Sequence, residues 1–183
     1  KKRKQFIGRV DGVVRLPVRL LHRVEVPGRP VQPDAGQSLT VGPGNVLLQV
    51  VAHHDDAVPV GVRCDGEGII PAALEDKLRT CENVKLLYII PTFQNPSGIT
   101  TPLSRRKEVY ALCKKYGVMI LEDNPYGELR FAGEDVPTIK SFDEDGLVIY
   151  CSSFSKILSA GMRVGYVTAP AEVVSKMVVA KQS

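Results

Sequence analysis

Side chains that could do chemistry cluster in three short segments of this 183-residue sequence. Together the segments supply an amide, a carboxylate, a phenol, two hydroxyls, an amine and a guanidinium. The residues that carry these groups are Asn95, Asp123, Tyr126, Ser153, Ser155, Lys156 and Arg163. The planar fork of a guanidinium pairs with phosphate oxygens, and an amine can attack a carbonyl. The set therefore suits a phosphorylated aromatic ligand that has a reactive carbonyl.

Each segment follows an apolar run that is typical of a buried β-strand. These runs are residues 85–90, 118–121 and 147–151, and a fourth run, 164–168, comes directly after Arg163. In α/β sheets, ligands bind at the carboxyl ends of the strands. We therefore expect the three segments to meet at one edge of a sheet.

Helices are predicted between and after these strands, which indicates an α/β fold with helices covering the sheet. Pro71 opens a helix at 72–79, and residues 171–181 form a closing helix. For the middle helix, Thr101 is the predicted N-cap, Pro102 the first helical residue, and Gly117 the terminator.

The middle helix has an apolar face that should pack on the sheet. Its members are Val109, Leu112, Cys113 and Tyr116. The basic residues Arg105, Arg106, Lys114 and Lys115 are predicted to lie elsewhere on the helix.

The first sixty residues differ from the rest in composition. Residues 1–30 contain nine Lys or Arg and two acids, whereas residues 31–60 contain no Lys or Arg and three acids. Six prolines interrupt every candidate helix, although the runs 13–18 and 46–51 could be strands. We expect few buried apolar contacts and little regular structure here. Two explanations stay open: a frameshift, which we favour, and a genuine divergent segment with its own role.

Several classes of protein do not fit the sequence. No run of 18 apolar residues is present and no signal-peptide pattern is visible, so neither a membrane span nor a signal peptide is expected. The four cysteines form no CxxC pair, so we expect reduced thiols and a cytoplasmic location. His53-His54 beside Asp55-Asp56 is interpreted as a solvated loop and not a metal site. The net charge of +4 comes with no nucleic-acid-binding module, so a nucleic-acid partner is not expected.

The three segments resemble those of the class I/II aminotransferases of fold type I, which use pyridoxal 5′-phosphate. Ser153-Phe-Ser-Lys156, with Arg163 seven residues further on, carries most of the resemblance, together with the preceding Asp123-x-Pro-Tyr126. The resemblance extends over about residues 61–183. It is greatest to the 2-aminoadipate and kynurenine aminotransferases, a group that includes the aminotransferase domains of MocR-type regulators. It implies part of a large cofactor-binding domain, three-layer α/β/α with a mostly parallel sheet.

The same resemblance implies a role for each residue near the cofactor ring. Lys156 would hold the cofactor as a Schiff base and later move the α-proton of the substrate. Asp123 would pair with the pyridine nitrogen and keep it protonated. Asn95 and Tyr126 would form hydrogen bonds to the ring O3′ oxygen.

The phosphate would be held by Ser153, Ser155 and Arg163, and the implied reaction is transamination between an α-amino acid and a 2-oxo acid. The complete protein is expected to be a homodimer. Residues 8–60 contain no aromatic residue to stack on the cofactor and no upstream phosphate loop, and the arginine that grips the substrate carboxylate would follow residue 183. We therefore expect a fragment that is not competent alone. The alternatives are a sensor domain of a MocR-type regulator and an inactive truncated fragment.

Overall fold

The computed structural model describes residues 13–17, 49–53 and 56–182, so most of the basic stretch 1–30 lies outside the described residues. Within the described residues, seven strands form one sheet: β1 (Val13–Pro17), β2 (Gln49–His53), β3 (Asp56–Val60), β6 (Val84–Ile89), β7 (Met119–Asp123), β8 (Val148–Ser153) and β9 (Val164–Thr168). Their order across the sheet is β1-β9-β8-β7-β6-β2-β3. A separate two-stranded ladder joins β4 (Cys64–Asp65) to β5 (Gly68–Ile69).

The four strands predicted after residue 60 are confirmed as β6 to β9, each within two residues of its predicted ends. In the first sixty residues, β1 and β2 overlap the two candidate runs, and β3 was not anticipated. All three join the large sheet. Of the predicted loop at residues 53–56, His54 and Asp55 lie outside the described residues. The boundary near residue 60 and its frameshift explanation stay predictions.

The α/β class is confirmed, and the pairing of the sheet is mixed rather than mostly parallel over the described residues. Parallel pairs join β6 to β7 and β7 to β8, while β8 and β9 are antiparallel. Strand β9 reverses direction because a short loop with one 3₁₀ turn, and not a crossover helix, connects it to β8. The pairs β1–β9, β2–β6 and β2–β3 are also antiparallel.

Helices cover both faces of the sheet. On one face, α1 (Pro71–Thr80) and α2 (Leu103–Tyr116) pack on the main apolar core, to which Leu74 and Val109 contribute fully buried side chains. On the other face, Met177 of α3 (Ala171–Gln182) packs on a smaller cluster around Cys151 and Val167. The predicted three layers are therefore present. No helix in the described part of the chain is long and apolar enough to cross a membrane.

The predicted end of α2 is confirmed and its predicted beginning is wrong. Gly117 terminates α2 in the left-handed conformation, with φ 67°, which glycine adopts without steric cost. At the other end, Pro102 is extended and is itself the N-cap, with no side chain capping the helix. Thr101 lies one residue before this N-cap, with its side chain buried and its backbone N–H donating to the carbonyl of Pro91.

The predicted position of Arg106 away from the packed face of α2 is also wrong, since this side chain is fully buried. Its Nε and Nη2 donate to the carbonyls of Thr101 and Pro91, and Nη2 also donates to Thr92 Oγ1. Its Nη1 donates to the carbonyls of residues 136–137. The guanidinium is buried because these oxygens take the place of its hydration shell.

Candidate active site

All seven residues singled out from the sequence line one cavity of about 360 Å³, beyond the carboxyl ends of β6, β7 and β8. The lining is Tyr88, Ile90, Asn95, Asp123, Pro125, Tyr126, Ser152, Ser153, Ser155, Lys156, Ala160 and Arg163. Parallel pairing of the three strands places their ends side by side, so the segments that follow them meet. The expected meeting of the three segments is thus observed.

Asp123 is the last residue of β7 and lies between donors from both neighbouring strands. The Tyr88 hydroxyl of β6 donates to Asp123 Oδ2 at 2.7 Å. The Cys151 thiol, opposite Asp123 in the β7–β8 register, approaches Oδ1 at 3.5 Å. Burial raises the pKa of both Tyr88 and Cys151, and the negative charge of Asp123 raises these pKa values further. Both groups therefore keep their protons. The Tyr88 hydroxyl donates to the carboxylate, whereas the single thiol hydrogen of Cys151 is shared between Asp123 Oδ1 and the carbonyl of Glu122 at 3.6 Å.

Lys156 lies in a tight turn directly after β8. The backbone N–H groups of residues 158–159 donate to the carbonyl of Phe154 and close this turn. The side chain is exposed, and its Nζ lies 5.9 Å from the centroid of the Tyr126 ring. Tyr126 is the N-cap residue directly before the 3₁₀ turn Gly127–Leu129, which follows β7. A primary amine from the loop after β8 and a phenol from the loop after β7 thus face the same cavity.

Close packing keeps Tyr126 and the turn after it next to β7. A Cβ atom at Gly127 would stand 2.5 Å from Asn124 Nδ2, so only glycine fits there without displacing Asn124. Asn124 is buried and donates to the Tyr150 hydroxyl.

Hydroxyl and guanidinium groups gather near the end of β8. Ser153 is its last residue, and Arg163 is exposed, in a left-handed conformation with φ 52°, immediately before β9. Ser155 Oγ is buried and has no hydrogen-bond partner in the structure. A buried hydroxyl without a partner costs about 1–3 kcal/mol. An oxygen-rich ligand in the cavity would remove that cost.

Asn95 is carried by a loop that is closed at its base. The N–H of Thr101 donates to the carbonyl of Pro91 at 2.8 Å, and the N–H of Gly98 donates to the carbonyl of Gln94 at 2.6 Å. The Asn95 side chain is exposed at the mouth of the cavity. The loop therefore presents an amide to a ligand from the side opposite β8.

Sequence reasoning missed Tyr88, although a signal was present. Tyr88 of β6 and Ile90, the residue directly after this strand, both line the cavity. The hydroxyl of Tyr88 is the one polar group in the otherwise apolar run 86–90. Its meaning depends on how β6 pairs with β7, which periodicity does not specify.

These residues fit pyridoxal phosphate as a ligand. The partnerless hydroxyl of Ser155, with Ser153 and Arg163, suits a phosphate, while the Lys156 amine and the Asp123 carboxylate suit the carbonyl and ring nitrogen of a pyridine aldehyde. Over the part of the chain that the structure describes, no group of three His, Cys, Asp or Glu residues could hold a metal ion. The four cysteines form no disulfide.

The chain belongs to the family of class I and II aminotransferases, whose model matches residues 48–183. Enzymes of this family are pyridoxal-phosphate-dependent transferases. Among individual relatives, aromatic-amino-acid aminotransferase 1 of Thermococcus litoralis is 48% identical over 128 residues, which are 68% of this chain and 31% of that protein. The uncharacterized HTH-type transcriptional regulator YisV of Bacillus subtilis is 37% identical over 117 residues, 64% of this chain and 24% of the regulator.

A solved structure resembles this chain in fold as well as in sequence. The kynurenine aminotransferase of Pyrococcus horikoshii, in complex with PMP, kynurenine and its product, matches with a TM-score of 0.64 and 42% identity. The match covers 66% of this chain and 31% of that protein. The chain thus spans less than a third of the length of each of these relatives.

Proposed function

We propose that the full-length protein carrying this sequence catalyses pyridoxal-phosphate-dependent transamination between an α-amino acid and a 2-oxo acid. The observation that carries the proposal is the convergence of Lys156, Asp123 and the partnerless Ser155 hydroxyl on one cavity. Family membership supports the same chemistry. The 183-residue chain alone is expected to turn over little, because it spans under a third of its relatives.

Each residue has a task that its position supports. When bound, pyridoxal phosphate supplies a carbonyl for covalent attachment and a ring that withdraws electrons from the substrate Cα. The Lys156 amine would attach to the cofactor and, once displaced by substrate, carry a proton to and from Cα. Asp123 would hold a proton on the ring nitrogen. Asn95 and Tyr126 would donate to the ring oxygen that both can approach from the cavity wall.

The phosphate end would be held at the loop after β8. Ser153 and Ser155 would donate hydroxyl hydrogen bonds to phosphate oxygens, and the exposed guanidinium of Arg163 would pair with their charge. These contacts would fix the cofactor with its carbonyl in reach of the Lys156 amine. Holding the two groups close together lowers the entropic cost of their reaction.

For the substrate, we propose aromatic amino acids or 2-aminoadipate, with broad specificity. The names of the Thermococcus and Pyrococcus relatives support the aromatic class. The 2-aminoadipate class rests on the resemblance of the sequence motifs. A homodimer and a cytoplasmic location complete the proposal and rest on the same resemblance and on the reduced thiols.

A second candidate is a ligand-sensing domain of a MocR-type regulator, favoured by the 37% identity to the Bacillus HTH-type regulator. Both candidates bind the cofactor, so cofactor binding does not separate them. The regulator requires a DNA-binding domain upstream, and sequencing of the flanking DNA reveals whether one is encoded. Turnover of an amino acid with 2-oxoglutarate supports the enzyme.

The test of the proposal is covalent capture of the cofactor by one amine. Full-length protein is incubated with pyridoxal phosphate and reduced with borohydride, and the modified peptide is identified by mass spectrometry. We expect the adduct on Lys156, with no adduct and no turnover in Lys156→Ala. Lys176→Ala is the matched control, since Lys176 is an exposed lysine of α3 and should leave both unchanged. An adduct at full yield in Lys156→Ala would remove Lys156 from this role.

A further inference from the structure

The carboxylate of Asp123 is held by neutral donors on either side. The phenol of Tyr88 bonds one oxygen at 2.7 Å, and the thiol of Cys151 approaches the other at 3.5 Å. No salt bridge to Asp123 forms within residues 60–182. The orientation of this carboxylate therefore depends on hydrogen bonds and not on a neighbouring cation.

The two donors differ in strength. An O–H···O⁻ bond of this length is a strong, charge-assisted hydrogen bond, whereas a thiol is a weak donor. Tyr88 also lies in β6 with its ring half-buried, so the sheet fixes the position of the hydroxyl. The Tyr88 hydroxyl is thus the main group that sets the rotamer of Asp123.

The bond also keeps its direction at neutral pH. A burial-raised pKa keeps the proton on Tyr88, so the phenol stays a donor throughout the neutral range. An ionised carboxylate at a fixed position is what a protonated ring nitrogen requires as its partner.

We propose that Tyr88 is a positioning residue that fixes the orientation of the Asp123 carboxylate, and so keeps the ring nitrogen of the bound cofactor protonated. The inference rests on the proposed function, because Asp123 is there the partner of the ring nitrogen. Tyr88 acts through Asp123, even though its side chain also lines the cavity.

The test compares full-length wild-type protein with Tyr88→Phe, which removes the hydroxyl and leaves the ring. Both are loaded with pyridoxal phosphate labelled with ¹⁵N at the ring, and the nitrogen chemical shift is followed by NMR from pH 6 to pH 9. In wild type we expect the shift of a protonated nitrogen throughout. In Tyr88→Phe we expect the nitrogen to lose its proton within this range, and the cofactor to bind about tenfold more weakly, as for loss of a hydrogen bond to a charged group.

Two further variants separate positioning from a general loss of structure. Tyr116→Phe removes a hydroxyl that bonds the carboxylate of Glu75 at 3.2 Å, far from the cavity, and should leave the nitrogen shift unchanged. Cys151→Ala removes the weaker donor to Asp123 and should move the titration less than Tyr88→Phe does. A thermal melt of each variant close to that of wild type shows that all are folded.

The outcomes distinguish this inference from the function on which it rests. If wild type holds the cofactor on Lys156 with a protonated nitrogen, and Tyr88→Phe gives the same titration and affinity, the role of Tyr88 is refuted and the proposed function stands. If wild type forms no adduct with the cofactor, both fall together. A kcat reduced in Tyr88→Phe with KM unchanged adds support, since the ring nitrogen acts on the chemical step.

Discussion

Replacement of the buried Arg106 by methionine should destabilise the fold strongly. The change keeps an unbranched apolar stem but removes every donor of the guanidinium. Three of the lost bonds, to the carbonyls of Thr101 and Pro91 and to Thr92 Oγ1, are wholly buried. The other two go to residues 136–137, where the oxygens are only partly buried and water can replace the donor.

The magnitude follows from those three buried oxygens. The Thr101 carbonyl and Thr92 Oγ1 lose the Arg106 donor without gaining water, at about 1–3 kcal/mol each. The Pro91 carbonyl keeps the Thr101 N–H as a donor and loses only its second bond, at about 1 kcal/mol, so the gross cost is roughly 3–7 kcal/mol. Against this, burial of the positive charge is itself unfavourable: it lowers the pKa of Arg106 to about 10, although the charge of Glu122 acts in the opposite direction. We expect a net loss of about 3–5 kcal/mol, as for removal of one partner from a buried charged network.

The assay is urea unfolding at pH 7, followed by circular dichroism, with Arg105→Met as the matched control. Arg105 is the preceding residue of α2, and its ion pairs go to the exposed carboxylates of Asp65 and Glu67. Exposed ion pairs contribute about 0–1 kcal/mol, and Arg105 Nη1 also donates to the part-buried carbonyl of Ile69, so this variant should lose about 1–2 kcal/mol. A loss below about 1 kcal/mol in Arg106→Met, with an unchanged denaturant slope, would refute the reasoning.

Two further changes probe charge and backbone. Burial acts to raise the pKa of Asp143, but the Lys140 ammonium and the backbone N–H groups of residues 147–148 act to lower it. Together they lower the pKa of Asp143 from 3.8 to about 2. The resulting stabilisation is present above pH 4 and disappears as the pH falls through 2. Between these pH values, the free energy of unfolding of wild type should fall by about 2 kcal/mol more than that of Asp143→Asn, measured by acid unfolding. Gly117→Ala places a residue with a side chain on a left-handed backbone and should lower the free energy of unfolding in urea by about 1 kcal/mol. Gly66→Ala, at a position with open space around it, should be nearly neutral. Equal losses in the two variants would contradict backbone strain as the cause.

Local features of the sequence were sufficient to predict the structure where a single residue or a short run decides it. Gly117 ends α2 because few other residues adopt its backbone conformation, and apolar runs become strands because they need cover on both faces. The seven candidate site residues converge because parallel strands end at the same edge of the sheet. These conclusions require only chain order and elementary packing.

Features that depend on partners distant in sequence were not predictable. The buried guanidinium of Arg106 bonds carbonyls 30 and 31 residues away. Helical periodicity gives no information about such distant partners. The contact of Tyr88 with Asp123 spans 35 residues and requires the pairing of β6 with β7. Thr101 has the residue type of an N-cap, but the helix begins one residue later, and Thr101 instead closes the loop that starts at Pro91.

Two buried thiols lie on opposite faces of the sheet and can serve as native reporters of local opening. Cys113 packs in the main core under α2, and Cys151 packs in the cluster under α3. Each is alkylated only when its own layer opens, so the two labelling rates measure separate opening equilibria. Equal rates across a denaturant series would show that both layers open in one cooperative event. A faster alkylation rate at Cys151 would show that the layer formed by α3, beside Asp123, opens more often than the main core and independently of it.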